Sequence, residues 1–252
     1  MPLASRSRFA WVSMLALALA LAAALVLALS GPGYRLGWWG LQIGLQRLLR
    51  YGAYAGIAAV VLGVGGLLLN ASRRRTASVL SAVAAVLVGG LVVAIPWRWQ
   101  QVARRSPPIH DITTDPSDPP QFHALARIRE ATKAPNSLDY TEAVATAQRQ
   151  AYPDIAPLEV PWPPREAFDR AVALARARGW EVVSAVAAEG RLEATDTTFW
   201  FGFRDDVVVE VTANGAGSRV NMRSVSRVGR GDVGTNARRV RAFIDELRAS
   251  AR

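Results

Sequence analysis

The side chains in this 252-residue sequence with the most chemistry to offer are carboxylates crowded into a short stretch: Glu193, Asp196, Asp205 and Asp206. Paired carboxylates can do acid–base work or hold a divalent cation. Asp205 and Asp206, with His110 as a further base, are therefore the candidate catalytic residues, and a nearby Arg would clamp an anionic substrate. A simpler chemistry competes and is preferred. Arg204, Arg223 and Arg227 can pair with these acids across neighbouring strands, as charges on ordinary sheets do. His110-Asp111 is the one His–Asp neighbour pair, but adjacent residues rarely form a catalytic dyad. Thr195, Thr197, Thr198, Ser224 and Ser226 are strand hydroxyls without the turn that exposes a nucleophilic serine. Cysteine is absent, which removes thiolate nucleophiles, disulfides and Cys-type metal sites. Neither a metal site nor a cofactor is expected.

Gly229-Arg230-Gly231-Asp232-Val233-Gly234 matches the GxGxxG pattern, follows a predicted strand and precedes a predicted helix. Only 18 residues remain after it, so no second parallel strand or ribose-binding acid is expected, and a dinucleotide fold is set aside. A lesser version survives. Glycine amides, a helix N-terminus and Arg227, Arg230, Arg238 and Arg239 could hold an anion such as a lipid phosphate. Asp232 in the same loop opposes that, and a glycine-permitted turn with a helix cap is the preferred reading. The candidate binding residues are Asp196, Arg223, Arg227, Gly229, Asp232 and Asn236.

The elements that must position these residues lie in the C-terminal part. Two helical stretches over about 122–150 break near Pro135, and a third covers 165–178, stopped by Gly179. The apolar period then changes from 3.6 to 2. Strands are predicted at 180–187, 191–203, 206–213 and 219–228, with Asn214-Gly215 as a turn. A last helix, 236–249, carries Val240, Phe243, Ile244 and Leu247 on one stripe, capped by Thr235 or Asn236. This order predicts an α+β domain with an antiparallel four-stranded sheet and helices on one face. Residues 101–120 read as a proline-rich linker.

The first hundred residues are of another kind. Phe9–Leu29 is uncharged over 21 residues, and further apolar runs cover about 52–70 and 77–96, the last closed by Pro96. Each suits the ~20 residues that cross ~30 Å of hydrocarbon. Trp38, Trp39, Trp97 and Trp99 fall where aromatic belts belong. Trp38, Leu41, Leu45 and Leu48 repeat at helical spacing, giving either an amphipathic piece lying in the interface or an early start of the second helix. The first run could be a cleaved signal, but it exceeds the usual length of one, so an uncleaved anchor is preferred. Gly52 and Gly56 form a GxxxG, a signal for close helix packing or self-association. No acidic residue lies in any span, so anchoring is preferred over transport.

Charge follows the same division. Residues 1–108 hold eleven Arg and no Lys or acid, whereas 109–252 hold eighteen Arg, one Lys and twenty acids. The whole excess of +10 flanks apolar segments, where it orients helices and meets anionic headgroups. A C-terminal half near neutrality lacks the footprint that phosphate backbones require, so no nucleic-acid partner is expected. Arg73-Arg74-Arg75 between the second and third runs, with Arg6 and Arg8, belong inside, which sends the C-terminal domain outside. Arg-for-Lys usage and abundant Ala suggest a GC-rich bacterial genome.

The stretches PPIHDITTDPSDPPQFHAL, AYPDIAPL, GRLEATDTTFWFGFRDDVVVEV and SRVNMRSVSRVGRGDVGTNARRVRAFIDEL resemble the domain-of-unknown-function 1499 (DUF1499) family of bacterial proteins over about 107–247. The resemblance implies no established activity and does not extend to the apolar runs. It singles out His110, Asp111, Asp115, Tyr152, Asp154, Thr195-Asp196-Thr197, Asp205, Asp206, Arg223, Ser224, Ser226, Arg227, Gly229, Asp232, Gly234 and Asn236. The expectation is a multi-pass, membrane-anchored envelope protein in the inner or plasma membrane. Its domain would bind a protein, lipid or glycan without catalysis. A tethered hydrolase-like enzyme using Asp and Arg of the sheet hairpins is the alternative, and an accessory transporter subunit ranks third.

Overall fold

The first apolar run folds as α1 (Ala10–Arg35), the second as α2 (Leu49–Asn70) and the third as α3 (Thr76–Arg105). The computed structural model describes residues 9–70 and 76–251. Arg6, Arg8 and Arg73–Arg75, which carry the orientation argument, lie outside the described residues. The chain divides into two compact units, Met1–Val102 with Trp200–Gly202 and Ala103–Phe199 with Phe203–Arg252.

All three helices are long and apolar enough to cross a membrane. Their packing inverts that of a water-soluble protein. Ala16, Ala20, Ala59, Ala82 and Ala85 are buried, while Leu21, Leu25, Leu68, Leu80, Leu87 and Leu91 face outward. Small residues inside and leucine outside is the arrangement that lipid permits, because close backbone approach replaces the hydrophobic effect as the packing force. The glycines serve this approach within one chain. A Cβ on Gly56 would stand 3.0 Å from the carbonyl oxygen of Gly89, and one on Gly89 would stand 2.8 Å from that of Gly56. Gly66 is equally tight against Ser13. Of the two readings open for the segment before α2, the structure has the early helix start. Gln42–Leu48 is π-helical and runs straight into α2, giving one span from Gln42 to Asn70. Pro96 does not close α3 but sits inside it, as Pro32 does in α1. Proline removes one N–H and bends a helix, and membrane helices tolerate that where neighbours satisfy the freed carbonyl.

The second unit is α+β, with β1 (Asp111–Thr113), α4 (Ala124–Ala131), α5 (Glu142–Ala151), β2 (Leu158–Val160), α6 (Pro164–Ala177), β3 (Glu181–Val186), β4 (Arg191–Thr197), β5 (Arg204–Asn214), β6 (Gly217–Ser226) and α7 (Thr235–Ser250). The sheet is antiparallel and has six strands rather than the four expected. The four long strands lie in the order β6-β5-β4-β3, and the two short ones pair with the free edge of β6, β1 against Arg223–Val225 and β2 against Ser218–Val220. Three-residue strands escape prediction because so short a segment shows no period. Asp111–Thr113 fall within the stretch expected as a linker, yet Ile112 is fully buried.

Helices cover both faces of the sheet, not one. On the first face Leu192, Ala194, Val207, Val209, Val211, Val220 and Met222 pack with Phe168, Ala171 and Ala175 of α6 and Val240, Phe243 and Leu247 of α7. On the second, Val208 and Val225 pack with Phe122 and with Leu125 of α4. A sheet buried on both sides must also bury the polar residues that alternate with its apolar ones. That requirement creates the feature described next.

Candidate functional site

Period-two alternation sends neighbouring strand residues to opposite faces. Asp205 and Asp206 are neighbours on β5, so they cannot act as a carboxylate pair. Each anchors its own network, one on each side of the sheet.

On the α4 face, Asp206 is fully buried between two guanidinium groups. Arg129 of α4 donates to its Oδ2 at 2.7 Å, and Arg227 donates through Nε and Nη2 at 2.8–3.1 Å. Thr195 on β4, directly opposite in register, adds a hydroxyl at 2.9 Å. Arg129 also donates to the carbonyl of Asn136, and the Asn136 amide bridges the carbonyls of Ser226 and Gly229. Glu193, on the same face of β4, accepts the backbone N–H groups of His123, Ala124 and Leu125 at 2.7–3.0 Å. It supplies the acceptors that the first turn of α4 lacks, with the charge sign that the helix dipole favours.

Beside it, Arg223 grips Asp111 of β1 with two N–H donors at 3.0 and 2.7 Å, and both side chains are buried. The rings of Phe122 and Tyr140 stand 5.5 Å from this guanidinium. Burial pushes the Asp111 carboxyl above its ordinary range against the pull of Arg223. Burial, with the Asp111 charge, also raises the Tyr140 hydroxyl.

On the α7 face, Arg239 is the hub. It donates to Asp205 at 2.6 Å, to Asp196 at 2.8 Å, to the Ser224 hydroxyl at 3.1 Å and to Asn236 Oδ1. The Asn236 amide then donates to the His110 carbonyl and the Ser226 hydroxyl, both at 2.9 Å. His110 joins through its backbone, while its ring lies 3.4 Å from the Arg230 carbonyl and makes no pair with Asp111.

The glycine-rich loop is filled from within. Asp232 accepts the N–H groups of Gly234 at 2.9 Å and of Asn236 at 2.5 Å, so the amides opening α7 already hold a carboxylate. The N-cap residue is Gly234, and the side chain that accepts the opening amides is that of Asp232, rather than Thr235 or Asn236. Gly229 and Gly234 adopt positive φ, which a side chain would strain. The loop is thus a turn with its own anion.

Burial raises the Asp232 carboxyl above its ordinary value, partly offset by those two amides and reinforced by the Asp205 charge. A raised carboxyl contributes stability that is fully present below the unfolded value near ~3.9 and lost as pH rises through the folded one. The melting temperature of the native chain should therefore fall, relative to an Asp232→Asn variant, as pH is taken from about 4 towards 7. Parallel melting curves over that range would contradict it.

The structure thus brings together Asp206 with Arg227, and Asp196 with Asp205 and Asn236. It places Arg223 apart, on Asp111, and Gly229 and Asp232 in the turn. Sequence reasoning misses Arg129 and Asn136 altogether, and it names Arg239 only as an anion holder in the glycine-rich loop, not as the hub of a buried network. A signal existed for two of them. Arg129 follows Leu125 by four residues and Arg239 precedes Phe243 by four, so each arginine stands in its helix's buried stripe. Chemically, these assemblies neutralise and crosslink. Both oxygens of Asp206 and of Asp111, and Oδ2 of Asp205, face arginine donors, and two surface hollows lie elsewhere. One is lined by Arg165, Glu166, Asp169 and Arg170, the other by Ser117, Gln148, Arg149 and Tyr152. Among the described residues no group of three or more His, Asp or Glu is placed to hold a metal ion.

No curated protein matches the chain. A family model described as a protein of unknown function (DUF1499) matches residues 111–247, from the first residue of β1 into the last turns of α7 and so both networks apart from His110; with more than half its length matched, this chain belongs to the DUF1499 family.

Proposed function

We propose that this chain is a membrane-anchored envelope protein of a bacterium whose α+β domain is a non-catalytic interaction module, docking a protein, lipid or glycan close to the membrane. The observation that carries this reading is the engagement of the sheet's aspartates. Asp206 and Asp205, the best bases the sequence offers, are each held by buried arginine. Both oxygens of Asp206 and one of Asp205 already accept from arginine, and moving either carboxylate would leave buried guanidinium charge uncompensated. The tethered-hydrolase reading needs that movement.

The sequence run Arg73-Arg74-Arg75 between the second and third apolar segments supports an extracytoplasmic position for the domain, since positive charge flanking spans stays inside. Protease added to intact spheroplasts should cleave the domain; full protection would reverse the orientation. For the function itself, in-cell crosslinking of the full-length chain should recover a defined partner or headgroup. The purified chain in detergent should turn over no ester, phosphoester or glycoside. Turnover that vanished in Asp206→Asn at unchanged stability would overturn the reading.

A further inference from the structure

The second span, Gln42–Asn70, has two unlike faces. Gly52, Gly56, Ala59 and Gly63 are buried, where their small size lets neighbouring backbone approach. The opposite face is turned outward. It begins with Arg47, followed about one turn on by Arg50 and Tyr51 and a turn later by Tyr54, so these side chains stand one above another. All four are exposed, Tyr51 by 62% and Tyr54 by 59%. The two phenol rings meet edge to face with 6.4 Å between centroids. Ile57, Val61 and Val64, also exposed, continue the row at three- and four-residue steps.

Arginine at the outer face of a spanning helix is costly unless its charge is met. The helical unit, Met1–Val102 with Trp200–Gly202, contains no Asp or Glu, so no carboxylate within it can pair with Arg47 or Arg50. The counter-charge that suits a guanidinium beside lipid is a phosphate, held through two parallel N–H bonds. Phenol hydroxyls a turn away add further donors. The rise along the helix fits a phospholipid. Arg47 to Tyr54 spans about 10 Å, enough to run from the headgroup layer to the top of the hydrocarbon. Tyr54 to Val64 spans about 15 Å, half of the ~30 Å hydrocarbon and so the depth of one leaflet's chains.

We infer that this face of the second span is a binding site for one anionic phospholipid. Arg47 and Arg50 hold the phosphate, Tyr51 and Tyr54 flank the glycerol esters, and the row from Ile57 to Val64 carries an acyl chain. A free phosphate would meet the arginines alone. The apolar row directly beneath them selects a headgroup with its chains attached. At roughly fivefold in affinity for each arginine near the surface, the site should prefer an anionic over a zwitterionic phospholipid by about 30-fold.

This inference rests on the membrane-anchored reading, and the experiment separates the two. The full-length chain, an Arg47→Gln, Arg50→Gln variant and an Arg104→Gln, Arg105→Gln variant are each reconstituted into vesicles of equal phosphatidylcholine and phosphatidylglycerol. Flotation reads the anchor. Native mass spectrometry of the chain extracted from those vesicles then counts the lipid still bound. The native chain should retain one phosphatidylglycerol in preference to phosphatidylcholine by about 30-fold. The first variant should retain the two lipids about equally, and the second, which removes two positive charges elsewhere, should keep the preference. A chain that floats but retains no phosphatidylglycerol in preference overturns the site and leaves the anchor standing. A preference lost equally in both variants marks general attraction by charge and overturns the site as well. Because the chain contains no cysteine, Val61→Cys gives a single crosslinking position. Near-complete disulfide dimers of that variant in the vesicles would show a second copy covering the row, and would also overturn the site. Failure to float overturns the anchor itself.

Discussion

Replacing Asp206 with alanine should destabilise the α+β unit by about 3–5 kcal/mol, because it strands the Arg129 and Arg227 charges in the interior. Arg227 is more than nine-tenths buried and Arg129 more so. Removing one partner of such a pair leaves a charge that neither water nor a counter-ion reaches, and here one deletion leaves two. Against a typical total of 5–15 kcal/mol, the loss brings the unit near its threshold. Hydrogen exchange of the full-length chain in detergent reads it directly: protected amides of β5 and β6 should exchange more than about 100-fold faster. Asp196→Ala is the internal standard. Its carboxylate is 31% exposed, and Arg239 keeps Asp205 when it is removed, so a change below about 1 kcal/mol is expected. Equal effects at the two positions would refute the burial argument.

The second large effect concerns Arg223. Arg223→Met should also cost about 3–5 kcal/mol, since Asp111 then keeps a buried carboxylate without its guanidinium. The pH dependence has a definite sign. The Asp111 carboxyl is already raised by burial and loses a lowering influence with Arg223. A raised carboxyl stabilises below its unfolded value and ceases to do so as pH rises through the folded one, so the deficit of the variant should grow from about pH 4 upward. The pair Asp111→Leu with Arg223→Met removes both charges and replaces them with apolar volume. It should recover more than half of the loss, because the penalty belongs to the unpaired charge rather than to the missing bridge. The carbonyls of Pro120 and Leu138, which Arg223 also serves, keep the recovery incomplete. A double variant as unstable as the single one would show that the bridge itself, not its broken half, carries the stability.

These expectations place the polar residues of the sheet in the framework. Thr195, Asp196, Asp205, Asp206, Ser224, Ser226, Arg227, Asn236 and Arg239 crosslink β4, β5 and β6 to α4 on one side and α7 on the other. A sheet covered by helices on both faces cannot leave such groups dry and unpaired. Their dense pattern in the sequence, which invites a catalytic reading, is what a buried polar lattice also produces.

The sequence by itself determined the features that depend on local chemistry and period. Three uncharged runs of spanning length, the change from period 3.6 to period 2, and the stops at Gly179 and Asn214-Gly215 each follow from a few consecutive residues. They put α1, α2, α3, α6, α7 and the four long strands close to their observed places. Even the separation of Asp205 from Asp206 was written there, since adjacent strand residues face opposite ways. Only the tertiary structure decided the rest. β1 and β2 exist because the edge of β6 offers unpaired backbone groups, and three residues carry no period of their own. α4 covers the second face because Glu193, some seventy residues later, holds its first amides. Asp206 finds Arg129 across 77 positions of sequence, and Asp111 finds Arg223 across 112. Bonds over such separations depend on which surfaces the packed chain brings together, and no local pattern encodes them.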